Sequence, residues 1–270
     1  MLVSLKELSG STIKATDGDL GQVKDVFFDD MSWTIRFLVV DTHPWLPLSQ
    51  KVLISPIALL EFKANDYALT VSLSKDMIKS CPKVEEHETV SREFEKTYSD
   101  YFGYGYYWTG EGAWGEYAFP TALYNENLMA TGNGVVNSGN SESEDKGEDK
   151  DKKEDIANSN VEQANHLRSA NEIAHYGIDA VDGKKGYIDD FIWDTSNWSL
   201  RYLVIDTRDW LPGGKRVLIS TDQFDTFNWG SKTVTCSLNL AQLKACPEYC
   251  SNRLNDNKYL EDVRQTLRIS

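Results

Sequence analysis

The sequence is poor in nearly everything that announces a chemistry. It holds four histidines and four cysteines in 270 residues. No stretch approaches the roughly 18 consecutive apolar residues that a membrane helix needs, so membrane insertion is not expected. His43, His87, His166 and His175 share no common spacing. No serine lies in a G-x-S-x-G turn, and no nucleophile, base and oxyanion hole can be assembled from motifs. Cys246 and Cys250 form a C-x-x-x-C pair with no second pair of ligands nearby, which does not make a zinc site. With Cys81 and Cys236 they read as reduced thiols of a cytoplasmic protein. Catalytic residues, cofactors and metals are all expected to be absent. The first residues, Met1-Leu2-Val3-Ser4-Leu5-Lys6-Glu7, lack the basic and then long apolar pattern of a secretory signal.

Clusters of positive charge are missing too. The formal net charge is −14. Residues 1–102 carry 11 basic and 16 acidic side chains, residues 103–165 carry 4 and 12, and residues 166–270 carry 13 and 14. Phosphate-backbone binding requires grouped Lys and Arg, so direct nucleic-acid binding is not expected. A basic protein partner is electrostatically reasonable.

What the sequence does have is itself, twice. Trp33-Thr-Ile-Arg-Phe-Leu-Val-Val-Asp-Thr42 returns at an offset of 165 as Trp198-Ser-Leu-Arg-Tyr-Leu-Val-Ile-Asp-Thr207. Trp45-Leu46-Pro47 returns as Trp210-Leu211-Pro212, Val52 to Ser55 as Val217 to Ser220, and Cys81-Pro82 as Cys246-Pro247. Between residues 17 and 82 about 25 positions are identical without a gap. A residue present in both copies is suspected first of holding the fold.

Within each unit the apolar period is mostly two. Gln22–Phe28 and Trp33–Val40 read as the strands of a hairpin around Asp29–Ser32. Val52–Ile54 and Tyr67–Leu73 read as further strands, and Ser74–Ser80 as a short helix. Phe94, Tyr98 and Phe102, like Tyr259, Val263 and Leu267, recur at four-residue steps behind the N-caps Ser91 and Asp256, the pattern of a helix closing each unit. Many short strands and one closing helix argue for a mainly β fold of two small barrels. The expected organisation is a first domain at 1–102, an aromatic and glycine-rich strap at 103–125, an acidic linker at 126–165 and a second domain at 166–270. Residues 141–155 cannot bury enough apolar surface to order themselves, so the linker is expected to be disordered.

The unit resembles the PRC-barrel, a β module named for the H subunit of the photosynthetic reaction centre and shared with the ribosome maturation factor RimM. The resemblance rests on Asp17-Gly18-x-x-Gly21-x-Val23-x-Asp25, the Trp33–Thr42 strand, Trp45-Leu46-Pro47 and Val52–Ser55, and on their second copies. It covers about 160–200 residues in order and spacing, and matches best the bacterial proteins with tandem PRC-barrels. It implies two barrels in pseudo-two-fold relation and an adaptor or assembly role through protein partners. It also implies, as an alternative, a soluble accessory factor of a membrane electron-transport or ribosome-assembly complex. Use of an inter-barrel cleft for a small ligand or a reaction is a third reading.

Individual residues divide by duplication. Trp33, Arg36, Asp41 and Trp45, with Trp198, Arg201, Asp206 and Trp210, are read as the structural motif of the repeat. The aspartates would accept backbone N–H bonds in the turns that follow. The arginines would lie over aromatics and pair with an acid such as Asp25 or Asp190. The tryptophans would fill the core, the contact between the units or a homodimer surface. Pro212-Gly213-Gly214-Lys215-Arg216 lacks a full phosphate-loop pattern and reads as a turn. The unduplicated aromatics Tyr104, Tyr106, Tyr107, Trp108, Trp114 and Tyr117 are the candidate interface. Aromatics interleaved with glycine suit a partner-binding surface, an ordered strap in the groove between the units, or a stacked ligand.

Overall fold

The computed structural model describes residues 1–42, 50–63, 66–85, 90–124, 166–209 and 213–268. Trp45, Trp210, Pro212 and the linker at 126–165 lie outside the described residues.

The fold is mainly β, in two mixed sheets. The first half contributes β1 (Leu2–Ser4), β2 (Thr12–Ala15), β3 (Gly18–Asp29), β4 (Thr34–Asp41), β5 (Gln50–Ile54), β6 (Leu59–Lys63), β7 (Ala68–Val71) and β8 (Val84–Glu85). The second contributes β9 (Leu167–Ser169), β10 (Gly177–Ala180), β11 (Gly183–Asp194), β12 (Leu200–Asp206), β13 (Arg216–Ser220), β14 (Phe224–Asn228) and β15 (Thr233–Cys236). The sheet paths are β6-β7-β2-β3-β4-β5-β8 and β14-β15-β10-β11-β12-β13. β2–β7 and β10–β15 are the parallel pairs; their neighbours are antiparallel. Among the described residues no ladder joins the two ends of either path.

The β3–β4 hairpin is built by its residues. Phe27, Phe28, Ile35, Phe37 and Leu38 are buried and suit a pleated, packed surface. Asp29 closes the turn by accepting from the backbone N–H of Met31 (2.9 Å) and Ser32 (3.1 Å). Gly21 and Gly186, the repeated glycines of the motif, stand at φ +151° and +124° beside the neighbouring strand. A Cβ there would lie 2.0 Å from the Asp41 carbonyl oxygen and 2.4 Å from that of Asp206. Only glycine lets the ladder close at that distance.

Among the described residues six α-helices punctuate the strands: α1 (Leu5–Leu8), α2 (Lys75–Ser80), α3 (Arg92–Phe102), α4 (Ala170–Ile173), α5 (Leu240–Ala245) and α6 (Asn257–Arg268). Ser91 caps α3 by accepting from the Phe94 N–H at 3.1 Å. Asp256 caps α6 through the Lys258 and Tyr259 N–H groups at 2.9 and 3.3 Å. The invariant Asp of the repeat does the same for the shorter helix. Asp17 accepts from Lys75 N–H at 3.0 Å, and Asp182 from Leu240 N–H at 3.0 Å.

The halves are joined by exchange. β1 pairs with β11 of the other half, setting Val3 opposite Trp193, and β9 pairs with β3, setting Arg168 opposite Phe28. The unit of sequence repetition therefore differs from the unit of sheet by one strand and the helix after it. The exchange is clasped by carboxylates. Asp25 accepts from Ser169 Oγ (2.6 Å) and Asn171 N–H (3.1 Å). Its repeat partner Asp190 accepts from Ser4 Oγ and from Lys6 N–H (3.3 Å). The expectation that Asp25 and Asp190 pair with strand arginines is corrected here, because each is occupied by the incoming helix of the opposite half. At the centre the halves touch reciprocally. Ile35 N–H donates to the Trp198 carbonyl at 2.8 Å, and Leu200 N–H to that of Trp33 at 2.6 Å.

Candidate functional site

The unduplicated segment 103–124 is an ordered strap across the first half. Gly103 ends α3 in the left-handed region at φ 67°, and Tyr104 N–H returns to the Ser99 carbonyl at 2.8 Å. That reversal lays the Tyr104 ring on Phe102, centroids 5.4 Å apart and nearly parallel. A tight hairpin follows, in which Gly112 and Gly115 exchange backbone hydrogen bonds at 3.0 and 3.2 Å. Its tip points the Ala113 carbonyl and the Trp114 ring inward. Residues 120–123 then turn against residues 56–58.

Beneath the hairpin lies Arg36. The guanidinium is buried, with the Tyr107 ring centroid 3.6 Å from its carbon and that of Trp114 at 4.8 Å. It donates to the Ala113 carbonyl and to Ser32 Oγ (3.2 Å), and pairs with Asp29 at 3.5 Å. A buried charge requires this many compensations. The acid is Asp29, four residues later than the Asp25 expected, because the turn aspartate faces the strap. The Arg36 Nε has no hydrogen-bond partner among the described residues.

A second ion pair extends the cluster. On α3, Arg92 pairs with Glu95, and both meet the Tyr107 hydroxyl, which donates to Glu95 at 2.7 Å and accepts from Arg92 at 2.7 Å. Burial pushes the Glu95 carboxyl up to about 7, with Arg92, the Tyr107 hydrogen bond and Arg36 partly offsetting it. Burial also raises the Tyr107 phenol. The sequence contains one sign of this cluster, the i,i+3 spacing of Arg92 and Glu95, and that spacing alone is common on exposed helices.

The six aromatics proposed as an interface separate into two sets. Tyr104, Tyr107 and Trp114 are buried and belong to the core, so they present nothing to a partner. Trp114 Nε1 donates to the Asn197 carbonyl at 2.6 Å, tying the strap to the second half. Tyr106 and Trp108 stack on each other at 4.8 Å and are half-buried. Tyr117 is exposed, with Phe119 beside it.

The duplicated residues separate by half. Trp33 sits at φ 52° and packs on Phe227 at 5.5 Å; Trp198 sits at φ 61° and packs on Trp193 at 4.5 Å. The Trp33 ring thus reaches the other half, whereas the Trp198 ring packs within its own half and crosses through its carbonyl, which accepts from Ile35 N–H. Asp206 accepts from Arg208 N–H at 2.9 Å and from its guanidinium, which holds the carboxyl below the usual range. Asp41 is exposed. Arg201, the counterpart of Arg36, is exposed and has no ion-pair partner among the described residues, none of which lies over it as the strap lies over Arg36. No grouping of three or more His, Cys, Asp or Glu suited to a metal occurs among the described residues. Burial pushes the thiols of Cys81, Cys236 and Cys246 up to about 11. No helix among the described residues is long and apolar enough to cross a membrane.

A surface concavity of about 730 Å³ runs between β6 and the end of the strap. Leu60, Phe62, Phe119, Pro120, Thr195 and Trp198 are among its walls. Leu60 is 66% exposed and Phe119 54%. β6 is the end strand of its path, and no described strand pairs with its outer edge. No family model matches the chain, and no curated protein matches it.

Proposed function

We propose that the chain is a non-enzymatic protein-interaction module, made of two PRC-barrel-like units locked together by strand exchange, and that the groove beside β6 is its working surface. The observation that carries this reading is the juxtaposition of exposed Leu60 and Phe119 with a free strand edge. An extended partner segment would add to β6 through its backbone and seat alternate apolar side chains in the groove. Soluble folds normally protect such an edge with charge or cover. The chain's net charge of −14 favours a basic partner. The repeated glycine turns, the carboxylate caps and the shared hairpin support the PRC-barrel assignment. A partner from an electron-transport or ribosome-assembly complex would give the module its process.

The test is affinity capture from native lysate with cross-linking, comparing the wild-type chain with Leu60→Asp and Phe119→Ser. The expected result is a partner cross-linked to residues 59–63 and lost from both variants. Equal recovery on all three proteins would overturn the proposal. A second copy is a specific second reading. Antiparallel pairing of two β6 strands about Phe62 sets Glu61 against Lys63 in both directions, the self-complementarity a two-fold interface needs. Light scattering separates them, since a monomer has a mass of 30.6 kDa.

A further inference from the structure

The second half holds a concavity of about 550 Å³, and among its walls are Arg201, Tyr202, Ser220, Leu260, Arg264 and Leu267. Subtracting the repeat offset turns these into Arg36, Phe37, Ser55, Glu95, Ser99 and Phe102. Those are the residues on and beside which the strap lies. Tyr107 and Trp114 cover Arg36, the Tyr107 hydroxyl meets Glu95, Tyr104 N–H meets the Ser99 carbonyl, and the Tyr104 ring covers Phe102. Thr221–Gln223, also in the wall, stands where residues 56–58 receive the end of the strap. One fold therefore shows the same face twice, covered in one half and, among the described residues, open in the other.

We infer that this open face is a docking site for an acidic, aromatic segment of a partner protein, bound as the strap is bound in the first half. The chain itself shows what fits. The strap at 103–124 carries Glu111 and Glu116 and no Lys or Arg. The open face carries Arg201 and Arg264 beside Asp194 and Asp222. Arg264 is paired with Glu261 at 3.6 Å, whereas Arg201 has no ion-pair partner among the described residues. Its counterpart of Asp29, Asp194, is engaged with the Met1 amino group at 3.3 Å and Ser196 Oγ at 2.8 Å. Aromatic rings over the Arg201 guanidinium and a carboxylate beside it would supply what Arg36 receives in the first half.

The differences between the faces define the specificity. Glu95, which accepts from the Tyr107 hydroxyl, is replaced by Leu260. A ring with a hydroxyl at that place would leave it facing a leucine, so phenylalanine is preferred there over tyrosine. This site is separate from the β6 groove and does not rest on it.

Two labelled peptides serve as probes on the whole chain, one of residues 103–124 and one of the same residues with Tyr107→Phe. Fluorescence anisotropy is expected to show saturable binding that weakens with salt, with the Tyr107→Phe peptide the tighter. Arg201→Ala, a change at an exposed position, should weaken it about tenfold. Leu260→Glu should reverse the preference in favour of the tyrosine peptide. If that variant does not fold, the Arg201→Ala comparison decides alone. Leu60→Asp should leave peptide binding unchanged. Absence of saturation by either peptide, equal affinity in Arg201→Ala, or a dimer in which a second copy covers Arg201 would each overturn the inference.

Discussion

Glu95→Gln should change how stability depends on pH. Glu95 is 3% exposed, and its carboxyl is raised from an ordinary value of 4.5 to about 7. Below about 4.5 the group is protonated both folded and unfolded. Between about 4.5 and 7 the unfolded chain releases the proton and the folded chain keeps it, so the folded state loses ground as pH rises. Above about 7 both are ionised and the loss is complete. A difference of about 2.5 units corresponds to about 3 kcal/mol at 1.36 kcal/mol per unit. Arg92 and the Tyr107 hydroxyl meet the ionised form, and without them the loss would be larger.

Glutamine copies the protonated carboxyl in shape: its Oε1 can accept from Arg92, and its amide N–H, like the O–H of the acid, can donate to the Tyr107 hydroxyl. Urea unfolding of both proteins at pH 5, 6, 7 and 8 isolates the residue, because the remaining carboxylates cancel in the difference. The two proteins should be close in stability at pH 5. The variant should gain steadily to about 3 kcal/mol at pH 8. A pH-independent difference, or a wild type that gains on the variant as pH rises, would refute the account of Glu95 as a carboxyl held up by burial.

Three other consequences are as direct. Asp190→Ala orphans the Ser4 hydroxyl and Lys6 N–H where the halves exchange strands; it should cost about 2–4 kcal/mol, and Asp25→Ala less because Asp25 is only half-buried. Equal midpoints in urea for wild type and both variants would contradict the clasp. Gly21→Ala and Gly186→Ala each drive a methyl into a carbonyl of the adjacent strand, and circular dichroism melts should show both destabilised by about 3 kcal/mol or more. Trp114→Ala should cost about 3–5 kcal/mol by calorimetry and expose the strap to limited proteolysis near Gly110, whereas Tyr117→Ala should be nearly silent in both.

The mainly β fold was legible because its signals are local. The hairpin around Asp29, the caps at Ser91 and Asp256 and the glycines of the repeat each act through neighbours in sequence or one strand away. The exchange of β1 and β9 was not legible. Three residues, Leu2–Ser4, carry no more apolar pattern than any strand end, and which half they join depends on Asp190, 186 residues distant. β6 escaped for a different reason: Leu59–Lys63 is largely exposed on both faces, so it shows no alternation. At the site, duplication gave Arg36 and Arg201 the same expected role. The strap, present once, makes one of them a buried cation between aromatic rings and leaves the other open.

That asymmetry constrains how a duplicated module can differ between its halves. Where the strap covers the first half, the replaced position is polar and matched to it, as Glu95 is to Tyr107. Where no described residue covers the second half, Leu260 and Arg264 occupy the corresponding wall. Leu260, on the buried face of α6, is 6% exposed on the floor of a concavity beside Arg201, which has no ion-pair partner among the described residues. An apolar floor with cations at the rim is the composition of a recognition pocket. The repeat therefore supplies a scaffold twice, and the two faces depart from it in opposite directions, one sealed by the chain's own aromatic segment and one shaped for a segment from outside.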